Sequence, residues 1–512
     1  MAGPSPTPSD GHQPDLGTVP AMPPVRLLPT DALARLARKS PMFDAAVRLA
    51  HWIGPHRPVT ADGVLELGDA RRAARELNLL PPEDLESELD QIGGAEELPE
   101  LDLPWSIAEE LEFIDIEDGT ARPGAALAAV DTAGAEELLD LWWEAAEVVV
   151  ADACLPSVDA LLASLEDGDL AAGEQELGLE TDPELLYEAL ENLYVISALE
   201  TGFDQERDAD DEQAVPLPVL AASMVVPDDM EAPTDEALEE VSSLMMRLDG
   251  ALQLVAGTGV VEYQPVDPAL VVDDEEDLAA SEALVEELDE EDVSRYGMVR
   301  LTPLGIYGVR RRLLLAGALA PAVGELVDAG ADELLEAMAD YPDGAARAEA
   351  QGWIEHRDPV AAARELLGAA RGDDPQAPLR RLYCQQALAL LGPAGDPALR
   401  EVLDDRHLGG LARVRLAENR AADVPEPSEE MVFWLTVDTL AAQLAEDDEE
   451  LLQELVRGIP VRDEHDSFFS AAWKVDHPAT VEVLEALGRL HPDRAVAKEA
   501  RKAALKARSS RA

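Results

Sequence analysis

The chain is poor in cysteine, lysine and aromatic residues, and it has no long apolar run. Its two cysteines, Cys154 and Cys384, stand far apart with no CxxC pair. That excludes a disulfide framework and fits a reducing compartment. No stretch of about 18 apolar residues occurs, so no membrane span is expected. The first residues, MAGPSPTPSDGHQPDLGTVPAMPPV, carry neither a basic nor an apolar signal region, and a cytoplasmic location is expected. Aromatic residues make up 4 % of a chain that is 47 % hydrophobic. Ala, Leu and Val must therefore fill the core, and since Ala and Leu are the best helix formers, many short helices are expected.

Motifs that carry catalysis are also missing. There is no GxxxxGK[ST] loop, no GxGxxG after a strand, no GxSxG and no HExxH. With 107 acidic residues, carboxylate pairs arise by chance, and a catalytic acid needs burial or a neighbour to shift its pKa. His465-Asp466, Asp476-His477 and His491 with Asp493 could gather round a metal, but their spacing matches no familiar zinc or calcium pattern. His477 and His491 each precede a proline at a helix start, where a side chain caps or packs. The expectation is a non-enzymatic protein without cofactor or metal.

What is abundant is negative charge. Against 107 acids stand 39 basic residues, a formal charge of −68. Such a chain repels itself and stays dispersed. It also repels nucleic-acid backbone, whose binding requires cations, and anionic lipid. An acidic surface serves either plain solvation, the commoner case, or a basic protein partner. Only five of the basic residues are lysine, and four of these lie in the last 40 positions: Lys474, Lys498, Lys502 and Lys506. The Ala/Arg/Leu bias is the mark of a GC-rich coding sequence. The ending HPDRAVAKEARKAALKARSSRA, residues 491–512, carries seven bases and two acids. On a helical wheel Val496, Ala500, Ala503, Ala504 and Ala507 fall on one side, and Arg494, Lys498, Arg501, Lys502 and Arg508 roughly opposite. The stripe of alanines packs on the preceding helix. The basic side either simply caps a helical array, docks an acidic partner, or docks the chain's own acidic stretch 273–292.

Along the chain, residues 1–25 read as a disordered tail. Residues 26–130 read as helix, short strand, helix, helix and a hairpin with its turn at Asp118-Gly119, the order of a winged-helix domain. Residues 131–203 read as a helical domain and 204–234 as an acidic, Pro-containing linker. A second winged-helix-like domain spans 235–318, with one strand at 259–266, another ending in LTPLG (301–305) and leading into a helix, and an acidic insertion at 273–292 holding twelve acids and no base. From 319 to 512 short amphipathic helices broken by Gly, Pro or Asp suggest HEAT-like repeats. Trp142, Trp143 and Trp105 are expected in the core. Trp434, Trp473 and Phe468-Phe469 are expected to form an aromatic cluster.

The segments LAHWIGPHRPVTADGVLELGDARRAARELNL, RLTPLGIYGVRRRLLLAG and HPATVEVLEALGRLHPDRAVAKEARKAALKARS together resemble a protein family of high-GC bacteria. The resemblance implies no activity and no catalytic residues. Fold likeness to winged helices does not imply DNA binding. If such binding occurred, DARRAARELNL with Arg71, Arg72 and Arg75 would be the reading helix, but Glu66, Asp69 and Glu76 beside it oppose phosphate. Arg310, Arg311 and Arg312 are consecutive and so splay around their helix. The expected function is a protein-interaction scaffold or regulatory adaptor with a protein partner. The alternative is a nucleic-acid-associated regulator or a nucleic-acid mimic.

Overall fold

The structure, a computed structural model, describes residues 21–80, 89–95, 97–154, 183–200, 214–227, 230, 234–267, 294–445, 469 and 471–511. The acidic insertion 273–292, the first twenty residues and positions 465, 466 and 468 lie outside them. The chain forms two compact units, Met1–Thr201 with Glu206–Ala320 and Gly202–Gln205 with Pro321–Ala512. It is mostly helical, and its strands among the described residues form two small antiparallel sheets of three strands each.

The first unit repeats one order of elements twice. After α1 (Thr30–Ala37) the first copy runs α2 (Pro41–Trp52), β1 (Arg57–Pro58), α3 (Leu67–Glu76), α4 (Pro99–Glu110), β2 (Ile114–Glu117) and β3 (Thr120–Pro123). The sheet order is β1-β3-β2, with Ala121 opposite both Arg57 and Ile116. Asp118 and Gly119 turn the hairpin with φ of 51° and 71°, the left-handed pair that matches strand twist. Two connecting helices follow, α5 (Leu127–Thr132) and α6 (Ala135–Ala153). The second copy is α7 (Pro183–Glu200), β4 (Val215–Pro216), α8 (Leu217–Val225), α9 (Asp235–Ala256), β5 (Val261–Gln264) and β6 (Met298–Leu301), in sheet order β4-β6-β5.

This second copy begins earlier than the sequence suggests. Its first helix comes from the span read as a helical domain, and β4 and α8 come from the span read as a linker. Val215–Pro216 is two residues long, too short to show alternation, and Pro218 sits in the first turn of α8, where a missing N–H leaves nothing unpaired.

The phrase Leu301-Thr302-Pro303-Leu304-Gly305 has a physical reading. Thr302 caps α10 (Pro303–Leu315) by accepting the Gly305 N–H at 3.0 Å, and Pro303 fills the first turn. The Thr302 hydroxyl also donates to the Gly259 carbonyl at 2.5 Å. A Cβ on Gly305 would lie 2.0 Å from the Val260 carbonyl oxygen, so only glycine fits there. Three residues on, a Cβ on Gly308 would meet the Trp143 ring at 2.1 Å. Trp142, Trp143 and Trp105 are all buried. Trp142 Nε1 donates to the Thr258 carbonyl at 2.9 Å and so ties α6 to the turn after α9.

The second unit is a succession of helices: α11 (Ala331–Asp340), α12 (Asp343–Glu355), α13 (Pro359–Ala369), α14 (Ala377–Leu391), α15 (Asp396–Glu401), α16 (Gly409–Glu418) and α17 (Glu429–Ala445). α11 packs on α12, α13 and α14, α13 on α14 and α15, and α16 on α15 and α17, and their inner faces, with Leu335, Trp353, Leu366, Leu388 and Leu411, make one core. Cys384 is buried within it, which pushes its thiol up to about 12. At the start of the unit, Glu349 accepts the N–H groups of Gly324 at 2.5 Å and Leu326 at 2.9 Å. Trp353 Nε1 donates to Ala329 O at 2.9 Å, and Arg357 donates to Val327 O and Ala329 O at 2.6 and 2.8 Å. These residues at four-residue spacing strap the 324–329 loop onto α12. The pair α18 (Thr480–Leu490) and α19 (Arg494–Arg511) closes the unit. Trp434 and Phe469 share the core of that pair, with Trp473 packed against it.

Candidate partner-binding face

The basic terminal segment is a helix, α19, and its alanines are what seat it. Val496, Ala497, Ala500, Ala503, Ala504 and Ala507 are all buried against α18 and its neighbours. Small side chains permit this close approach. A Cβ on Gly488 of α18 would meet the Arg501 side chain at 2.6 Å.

The five basic residues singled out from sequence divide into two sets. Arg501 and Arg508 flank the buried stripe and bond α18. Arg501 Nη1 donates to the Gly488 carbonyl at 3.0 Å, and Arg508 pairs with Glu485. Arg494, Lys498 and Lys502 lie on the open side and are exposed. Lys502 pairs with Glu499 on its own helix at 2.6 Å, an exposed contact of small energy. Lys506, which sequence reading left out, continues the row at the same four-residue step. At about 100° per residue, Arg494, Lys498, Lys502 and Lys506 cover an arc of roughly 120° over about 18 Å of helix. Leu505 falls inside that arc and is 62 % exposed. The signal for Lys506 is legible in the sequence as the repeat 494, 498, 502, 506.

At the end of the row stands Trp473, half-buried. The ammonium groups of Lys506 and Lys474 lie 5.9 and 5.5 Å from its ring centre, within cation–π range. The field of the row is felt by Glu499. The Lys502 hydrogen bond, with the charges of Lys502, Lys498 and Lys506, holds its carboxyl below the usual range.

A buried charge cluster fixes α18 and α19 on the array. Arg381 of α14 grips Asp438 of α17 through two bonds, Nε–Oδ2 at 2.8 Å and Nη2–Oδ1 at 2.5 Å. His477, ahead of α18, reaches Asp438 Oδ1 from Nε2 at 3.0 Å. Its Nδ1 accepts the Ala479 N–H at 3.1 Å, which places the ring proton on Nε2, aimed at the carboxylate. The three side chains are at most 4 % exposed. Arg381 also donates to the carbonyls of Ala370 and Gly372, and Trp434 covers the cluster, 4.7 Å from the His477 ring. His491 repeats the device, its Nδ1 accepting the Asp493 N–H at 3.0 Å. Both His-Pro pairs thus cap the turn that follows. Among the described residues no group of three or more His, Cys, Asp or Glu could hold a metal ion.

The arginines offered for nucleic acid are engaged within the fold. Arg71 donates to Ile92 O at 3.0 Å, Arg72 pairs with Asp69 and leans over the Trp52 ring at 5.4 Å, and Arg75 reaches Arg71 O at 3.5 Å. They stand on α3, whereas the helix that leads into the hairpin is α4. That helix carries Glu100, Asp102, Glu109 and Glu110 and no base. Its counterpart α9 carries five acids and one arginine. Arg311 pairs with Asp140 at 2.5 Å, and Arg312 lies 3.5 Å over Tyr187, joining α10 to α6 and α7.

No protein-family model matches the chain, and no curated protein and no solved structure matches it.

Proposed function

We propose that the protein is a non-enzymatic interaction adaptor. Its first unit is winged-helix-like twice over, on the element order and the β1-β3-β2 and β4-β6-β5 sheets. Its second unit is a HEAT-like array that ends in a partner-binding helix. The observation that carries this reading is the open basic face of α19. In a chain of net charge −68, a row of four cations has been kept exposed on a helix whose other side is buried. Most arginines described above are spent on bonds inside the fold. The cations left in the row are chiefly lysines, whose compact, hydrated charge suits attraction at a surface. The winged-helix-like topology favours a second reading, a nucleic-acid regulator, but acids occupy both helices that lead into the hairpins, which disfavours phosphate.

The test is affinity capture of the full-length protein from lysate of its own host, after nuclease treatment, beside a Lys498→Glu/Lys502→Glu variant. A protein held near one-to-one by the wild type and lost from the variant supports the adaptor. A partner held equally by both, or a bound species that vanishes only with nuclease, sinks it.

A further inference from the structure

The basic face of α19 has a definite shape as well as a charge. Its four cations repeat every fourth residue, as do side chains along any helix lying beside it. Leu505, exposed, sits among them, offering an apolar contact that a phosphate backbone has no use for. Trp473 borders the row, yet its ring already faces two ammonium groups, Lys474 and Lys506. It is therefore not an open platform on which a base could stack. Arg501, a guanidinium suited to gripping phosphate in forked pairs, is bonded to the Gly488 carbonyl of α18, and Arg508, though exposed, lies at the edge of the stripe beside Glu485.

Resting on the adaptor reading, we propose that this face binds an acidic helical peptide segment of a protein partner, its carboxylates set against Arg494, Lys498, Lys502 and Lys506 and an apolar side chain seated on Leu505. Such a segment needs acids at four-residue spacing over about three turns, matching the 18 Å or so that the row covers. It needs an apolar residue between them. The attraction is one of surface charges, so it is fast and salt-sensitive.

The experiment uses the full chain and two labelled probes, read by fluorescence anisotropy. One is a synthetic peptide with the chain's own 273–292 sequence, twelve acids and no base. The other is an oligothymidylate of the same length. Saturable binding of the peptide is expected, weakening several-fold as salt rises from about 50 to 300 mM. It should be about tenfold weaker in Lys498→Glu/Lys502→Glu, where two attractions become repulsions, and weaker also in Leu505→Ser. These positions are exposed, so the variants keep the fold, which circular dichroism checks. Binding of oligothymidylate in place of the peptide overturns the proposal, as does equal peptide binding by the wild type and the charge-reversed chain. Peptide binding indifferent to Leu505→Ser overturns the seating and leaves only diffuse attraction. The lysate capture reads the adaptor proposal separately. A captured partner that depends on the row but has no acidic segment sinks the peptide inference alone.

Discussion

His477 and Asp438, 39 positions apart in the chain, meet at 3.0 Å in the interior of the second unit. The histidine serves two elements at once, giving its Nε2 proton to the carboxylate and taking the Ala479 N–H on Nδ1. With Arg381 on its other side, the carboxylate is a bolt between the helical array and the pair that carries the basic face. Removing one member of a buried charge pair strands the other, at about 3–5 kcal/mol. Asp438→Ala should therefore lower the unfolding midpoint of the second unit severely. His477→Asn, which still caps Ala479 but does not reach Asp438, should lower it less than His477→Ala. Hydrogen exchange over 471–511 is the measurement. Equal protection in all three variants would show that the cluster holds nothing.

Glu349 is fully buried, and its carboxylate answers two backbone N–H groups, those of Gly324 and Leu326. An unanswered buried donor costs about 1–3 kcal/mol. Glu349→Ala should open the 324–329 loop to hydrogen exchange and destabilise the second unit by roughly 2–5 kcal/mol, from two such donors and the space left behind. Glu349→Gln retains one acceptor oxygen and should fall between. An alanine variant as protected as the wild type would contradict this role.

Gly308 of α10 lies against the Trp143 ring of α6. Even one methyl there must push the helices apart, and overpacking typically costs about 1–3 kcal/mol. Gly308→Ala should lower the unfolding midpoint of the first unit. The double variant Gly308→Ala/Trp143→Leu should recover part of the loss. Failure of the smaller partner to rescue would place the strain elsewhere.

Four carboxylates of the second unit, Glu499 of the terminal helix and three in the array, make its stability depend on pH. Arg380 holds Asp374 below its usual range, and Arg364 does the same for Glu401. Burial acts to raise Asp405, but the N–H groups of His407 and Leu408 and the Arg371 guanidinium outweigh it and leave the carboxyl lowered. A folded-state value below the unfolded one means stability that is present above the unfolded pKa, about 4 for these groups. That stability is lost as pH falls through the folded values. Denaturant midpoints should be flat from about pH 7 to 5 and decline below about 4. Arg364→Ala and Arg371→Ala should flatten the decline. The same slope in wild type and variants would refute the assignment.

Much of the fold was legible from local rules. The scarcity of aromatics with abundant Ala and Leu gave short helices. Asp118-Gly119 gave the first hairpin, since few other pairs adopt two positive φ values in succession. The Leu301-Thr302-Pro303-Leu304-Gly305 phrase, read as the end of the strand before a helix, already contains the cap and first turn of α10. The alanine stripe of the terminal helix identified its buried side. Less legible was β4, whose two residues carry no period. The candidate reading helix was set on α3 by its three arginines, although the helix that feeds the hairpin is the acidic α4. The division of the basic residues of α19 was hidden too. Arg501 and Arg508 are exposed like the rest of the basic set, and only the position of α18 gives them the Gly488 carbonyl and Glu485 as partners.

The sequence by itself determined the helical character, the turns, the caps at His477 and His491, and the presence of a cationic helix in an acidic chain. Each depends on residues within a few positions of one another, where geometry follows from spacing. The tertiary structure alone decided that Arg381, Asp438 and His477 converge, that Glu349 is buried beneath a loop, and which cations of α19 remain open. Those outcomes depend on which faces of distant elements meet, and burial, which sets the strength of a charge or a hydrogen bond, is a property of the packed chain.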